Sequence, residues 1–197
     1  EIYEQVQDVE GTLIVKEYPT KSASTRSLRT HLEKLKMRDI LPDMVLVDYG
    51  DLLRPVSAQK EKRNELESIY EELRGLAKEF ECCMWTASQT NRSGLNAEVI
   101  TLESISEAFN KCFVADFIFS LSRTVEDKQS DTGRVFVAKN RNGPDGLVFP
   151  ISMQTANVQI KILQQTGEEQ NMLTARDQSE VLKEKYKKFR KNQKQKD

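Results

Sequence analysis

Apolar positions recur along the chain with two different periods, and the switches between them predict the order of elements. Thr12 to Tyr18 is β-rich and closed by Pro19, which reads as a short strand, and Ser22 to Thr25 then offer hydroxyls suited to capping a helix. Leu28, Leu32 and Leu35 follow at helical spacing to about Met37, with one face to pack on a sheet. The unbroken run Met44 to Val47, preceded by Pro42-Asp43 and ended by Asp48, reads as a strand buried on both faces of a parallel sheet. From Gln59 to Phe80, Leu66, Ile69, Tyr70, Leu73, Leu76, Ala77 and Phe80 fall on one helical stripe and predict a long amphipathic helix. Cys82 to Ala87 is a second buried strand, so strand, helix, strand, helix, strand predicts right-handed βαβ crossovers.

The second half is more polar. Arg92 to Thr101 reads as a loop, and Thr101 caps a helix that runs to about Phe113, with Ser104 at its third position. Phe117 to Leu121 is a third strand, and Glu126 to Asp131 a charged loop. Arg134 to Ala138 and Leu147 to Ser152 read as two strands joined across the turn-rich Asn142-Gly-Pro-Asp-Gly146, with a further strand at Val158 to Leu163. Gln164 to Asn171 has linker composition, and Gln178 to Lys191 reads as a basic helix or a disordered tail. The expected division is one domain over residues 1–163 and a polar linker with a basic tail over 164–197.

Composition fits this picture. A chain of 197 residues with 38% hydrophobic and 31% charged residues suits one soluble domain with its own core. No apolar run approaches the roughly 20 residues of a membrane helix, and no basic-apolar leader opens the chain, so the expected location is the cytoplasm, that of the host cell if the protein is viral. Cys82 and Cys83 are adjacent, Cys112 stands alone and His31 is the one histidine, a pattern of buried free thiols rather than a metal site or disulfide. Trp85, inside the second strand, is expected in the core. The chain opens at Glu1 in a polar stretch, which reads as a fragment. The net charge of −1 hides a basic end: residues 183–197 hold seven Lys and one Arg against Glu184 and Asp197, a local +6 that leaves about −7 elsewhere.

Three segments can carry chemistry. Asp48 ends a strand of an open parallel sheet, where ligands of such folds bind, and its carboxylate suits the water shell of Mg²⁺; equally, it can simply end a strand. Gln89 ends the next strand, where an amide can orient a water or sense a γ-phosphate, or serve as a polar terminus. Lys139 and Arg141 leave a strand on the same side, with Asn140 opposite. By themselves they read as a solvated rim; reaching a neighbouring subunit's phosphate, they would act as arginine-finger elements, worth roughly 10³ to 10⁵ in rate.

In this order and spacing, the strand Met44 to Asp48 with Tyr49, the helix end Glu72-Leu-Arg-Gly-Leu-Ala-Lys78, Ser88-Gln-Thr-Asn-Arg-Ser93, Ala115-Asp116 and Lys139-Asn-Arg-Asn-Gly-Pro144 resemble one family over about residues 11 to 163. It is the RecA-like motor domain of the DnaB-type hexameric replicative helicases, especially those of T-even-type phages. The resemblance implies an α/β fold, a RecA-like P-loop NTPase core with a mostly parallel sheet, flanking helices and a C-terminal antiparallel hairpin. It implies ATP and Mg²⁺ as cofactors, with Asp48 as the Walker B aspartate, Gln89 linking nucleotide state to the DNA loops, and Lys139 and Arg141 supplied in trans to the adjoining subunit's ATP. It places Ser106, Glu107 and Asn110 on a DNA-binding loop and helix inside the ring; cellular enzymes tend to have Arg where Ser106 stands.

The implied partners are single-stranded DNA, further copies in a ring expected to be a hexamer, and a primase or helicase loader, with no membrane. One departure is large. The chain has no G-x-x-x-x-G-K-[ST] loop, so the lysine and backbone cradle for phosphates are missing, as in a truncated, split or degenerate relative. The chain alone is expected to be inactive. The rival readings are a RecA- or KaiC-like ATPase of recombination or regulation, and an inactive RecA-fold interaction module.

Overall fold

The computed structural model describes residues 11–57, 61–90, 97, 99–102 and 109–163. Its first helix, α1 (Thr25–Lys36), starts where the hydroxyls predicted it. Ser24 is the N-cap, accepting from the Ser27 backbone N–H, while Ser27 Oγ accepts from the Ser24 N–H in return. Lys34 and Lys36 in the last turn complement the helix dipole. Leu32 and Leu35 are buried, and Thr25 Oγ1 donates to the Glu72 carboxylate on the long helix α2 (Lys62–Glu79). Along α2, Leu66, Ile69, Leu73 and Leu76 form the buried stripe that the i, i+3, i+4, i+7 series predicts.

Strands β1 (Met44–Val47) and β2 (Cys83–Thr86) flank α2 in sequence and pair in parallel, with Met44 opposite Cys83 and Val47 opposite Thr86. A 3₁₀ turn at Gly50–Leu52 follows β1, and the Asp48–Tyr49 peptide bond just before it is cis. Helix α3 (Phe109–Val114) leads into a four-stranded antiparallel sheet of β3 (Phe117–Ser122), β4 (Thr132–Asn140), β5 (Val148–Gln154) and β6 (Gln159–Ile162), in that spatial order. Phe136, Val137, Val148 and Ile151 fill its core. The β4–β5 connection turns through Gly146, whose φ of +76° favours a residue without Cβ.

Four expectations are corrected. Thr12 to Tyr18 is irregular chain with Leu13 and Val15 exposed, because no strand among the described residues lies beside it to complete its hydrogen bonds. The charged stretch after β3 is a short helix, α4 (Val125–Gln129), since Thr124 and Asp127 form a reciprocal capping box that satisfies its first N–H groups. Cys83 is exposed, unlike Cys82 and Cys112, because it sits on the outward face of β2. Finally, among the described residues the parallel pair is not covered on both faces. Met44 is 54% and Leu46 72% exposed, and Trp85 beside them, expected in the core, is partly open.

That open face continues into a cleft of about 670 Å³ between β2 and β3. Trp85 meets Phe117 and Phe119 edge-on across it, at ring-centre distances of 6.1 and 5.9 Å. Among the described strands, β2 and β3 face the cleft without pairing to each other.

Candidate functional site

The parallel register brings the carboxyl ends of β1 and β2 level, so Asp48 and Gln89 emerge at the same edge. The edge is held rigidly from beneath. Thr86 Oγ1 accepts from the Gly50 N–H at 2.7 Å and donates to the Val47 carbonyl at 2.9 Å, stapling the last residue of β2 to the turn after β1. Above it, Gln89 Nε2 donates to the Tyr49 hydroxyl at 3.1 Å. Gln89 therefore touches the residue next to Asp48. The Asp48 side chain is exposed and makes no hydrogen bond or ion pair among the described residues, which leaves both carboxylate oxygens available.

No group of three or more His, Cys, Asp or Glu suited to a metal lies among the described residues. One free carboxylate fits Mg²⁺ held through water and substrate phosphates, the usual mode of that hard ion, and does not fit a metal held by protein ligands alone.

Lys139 and Arg141 are brought together too, but around α3 and not at this edge. Lys139 Nζ donates to the Cys112 and Phe113 carbonyls at 2.8 and 3.0 Å, closing the last turn of α3. Burial and the neighbouring Arg141 guanidinium lower the Lys139 pKa from its ordinary value. Arg141 pairs with Asp116 at 2.9 Å, Asp116 also pairs with Arg74 at 2.8 Å, and the Arg141 side chain remains 43% exposed. A solvated rim is thus only half the description: both cations are engaged by their own chain, and Arg141 keeps a solvent-facing side. Ser106, Glu107 and the side chain of Asn110 lie outside the described residues.

The structure adds residues that sequence reasoning passed over. Lys111, on α3, is buried and ion-paired to Asp51 at 3.0 Å, and its ammonium donates to Ser88 Oγ at 2.6 Å. Asp51 also accepts from the Tyr70 hydroxyl at 2.8 Å; burial, and then the Asp51 charge, raise the Tyr70 pKa strongly. The signal for Lys111 was present in the sequence, as a lone charge inside the largely apolar stretch Phe109 to Val114.

Comparison with known proteins gives the family and the fold. A DnaB-like replicative helicase of Enterobacteria phage T4 is 30% identical over 137 residues, covering 68% of this chain and 29% of the relative. A probable replicative DNA helicase of Trieres chinensis is 27% identical over 139 residues, covering 66% of this chain and 30% of the relative. The chain therefore spans about a third of the length of these relatives. Among solved structures, one described as an ATPase domain superposes with a TM-score of 0.64 at 22% identity, over 72% of this chain and 52% of that one. A DnaB-like replicative helicase described with its primase interactions gives 0.60 at 22% identity, over 68% and 34%. These two show the fold, an α/β ATPase-domain architecture. The DnaB-like helicase C terminal domain family matches residues 1–161, and the chain belongs to that family.

Proposed function

We propose that this chain is part of a replicative DNA helicase, supplying the Mg²⁺-side, sensor and trans-acting elements of an ATP site in a ring of copies around single-stranded DNA. The observation that carries the reading is the Gln89–Tyr49 contact beside the free Asp48 carboxylate, at the carboxyl edge of a parallel pair where ligands of open α/β sheets bind. In this role Asp48 holds the water shell of Mg²⁺, which would neutralise charge on the ATP phosphates. Gln89 reports the state of that edge to the DNA-facing segment of Ser106, Glu107 and Asn110. Arg141, with its exposed side, extends to the neighbouring copy's ATP, while Lys139 ties the end of α3 to β4, the strand from which Arg141 departs.

The phosphate-cradling loop is not in this sequence, so the reading concerns the longer helicase, and the chain alone is expected to bind nucleotide poorly. Membership of the family and the primase named with one solved relative support a primase, or a loader, as partner, in the cytoplasm where replication proceeds. The basic residues 183–197 suit that docking or sequence-independent contact with phosphates.

The test is the ATPase of the full-length protein with and without single-stranded DNA. Stimulation by DNA that Arg141→Ala abolishes supports the motor. An ATPase indifferent to DNA favours a RecA- or KaiC-like regulator, and no ATPase at all favours an interaction module.

A further inference from the structure

Lys111 is a buried charge that the roles proposed above leave unused. Its side chain is 2% exposed, and its ammonium donates to the two Asp51 oxygens at 3.0 and 3.2 Å and to Ser88 Oγ at 2.6 Å, 5.5 Å from the centre of the Tyr70 ring. Ser88 Oγ in turn donates to Asp51 at 3.1 Å. The three donors of an ammonium are thereby committed to two segments. One is the turn three residues past Asp48; the other immediately precedes Gln89.

Stability alone does not account for this cluster. Removing two charges from water costs about what their attraction returns, and apolar side chains of the same volume commonly stabilise a fold as well. A charged pair adds direction, because it fixes which atoms meet. Lys111 fixes α3 against the sensor edge. One residue further on, the Cys112 carbonyl accepts from Lys139, and the Phe113 carbonyl accepts from Lys139 and Arg141. Helix α3 is therefore tied through Lys111 to Asp51 and Ser88, beside the Asp48–Gln89 edge, and through its last carbonyls to the cation pair.

We propose that Lys111 is a positioning residue: through Ser88 and Asp51 it couples the placement of α3 to that of Gln89. A shift of α3 then changes the geometry of the sensor edge and of the Lys139–Arg141 pair together. This inference rests on the motor reading, in which α3 continues from the DNA-facing segment.

The test uses the full-length helicase and the ratio of its ATPase rates with and without single-stranded DNA. Ser88→Ala cuts the tie to the Gln89 segment and leaves the Lys111–Asp51 pair in place. The expected result is a ratio lowered at least about fivefold, the lower end of typical coupling between sites, with DNA-free rate and DNA affinity within about twofold of the parent. Lys111→Met combined with Asp51→Leu replaces the pair by apolar volume; thermal stability is expected to hold while stimulation stays low. A double variant that regains both stability and full stimulation shows a merely structural role and overturns the proposal, as does an unchanged ratio in Ser88→Ala. A parent protein without DNA stimulation overturns the motor reading and this inference with it, whereas stimulation insensitive to every variant overturns the inference alone.

Discussion

The side-chain amide of Gln89 donates to the hydroxyl of Tyr49 across the carboxyl edge of the parallel pair, at 3.1 Å. Gln89 itself is exposed, so the bond contributes only about 0.5–1.5 kcal/mol and can break and re-form as the edge changes occupant. A contact of that size fits the sensor role proposed for Gln89 better than it fits a brace.

Tyr49→Phe is therefore expected to leave the fold intact, with a stability change below about 1.5 kcal/mol in urea titration. On the helicase reading proposed above, the same substitution in the full-length protein should lower the DNA-stimulated ATPase rate, because Gln89 loses its hydrogen-bond partner beside Asp48. Stimulated rates equal to the parent's would detach Tyr49 from the role proposed for Gln89.

The staple beneath the edge should be costlier to remove. Thr86→Val deletes the acceptor of the buried Gly50 N–H and is expected to cost about 1–3 kcal/mol, while Thr86→Ser keeps the hydroxyl and most of the stability. Gly50→Ala should destabilise as well, since its Cβ would stand 3.1 Å from Thr86 Oγ1 and 3.4 Å from the Tyr70 ring. Denaturant midpoints of the three variants check the order.

The antiparallel sheet has its own pH dependence through Asp127. The Thr124 backbone N–H, together with Thr132 and Arg134, holds this carboxyl far below the usual carboxylate range. A folded pKa below the unfolded value means that the stabilisation is complete above about pH 4 and is lost as pH falls towards the folded pKa. Asp127→Asn is expected to lose roughly 1.5–3 kcal/mol at pH 7 and to flatten the acid limb of stability against pH. Parallel acid limbs for parent and variant would assign the loss to other carboxylates.

The bare face of the parallel pair predicts dye binding. The 197-residue chain should enhance the fluorescence of an apolar reporter dye, and Trp85, its only tryptophan, should be quenched by acrylamide. Leu46→Glu, at a 72% exposed position, is expected to reduce dye binding and to change stability by no more than about 0.5 kcal/mol. A large loss of stability in that variant would mean that the face is covered in solution.

Helices and strands with strong periodicity were legible in the residues. The stripe Leu66, Ile69, Leu73, Leu76 stands where its spacing puts it, because burial of a repeating apolar set allows one period only; the run Met44 to Val47 forms the expected strand, although one face of it stays open. Thr12 to Tyr18 misled for a related reason: β-propensity describes a chain that has a neighbour to pair with, and propensity alone supplies none. Helix α4 was passed over because five residues are too few to show a period, and its capping box carries the information instead.

For the site, the sequence by itself determined which residue types end which strands, and hence that Asp48 and Gln89 share an edge, since parallel strands joined by one helix place their carboxyl ends together. The tertiary structure decided the rest. It showed that Lys139 closes α3, that Arg141 leans on Asp116, and that Lys111 binds Asp51 and Ser88, residues 60 and 23 positions away in the chain. The physical reason is range: periodicity reports which side of an element is apolar, whereas the partner of a buried charge depends on how distant segments meet.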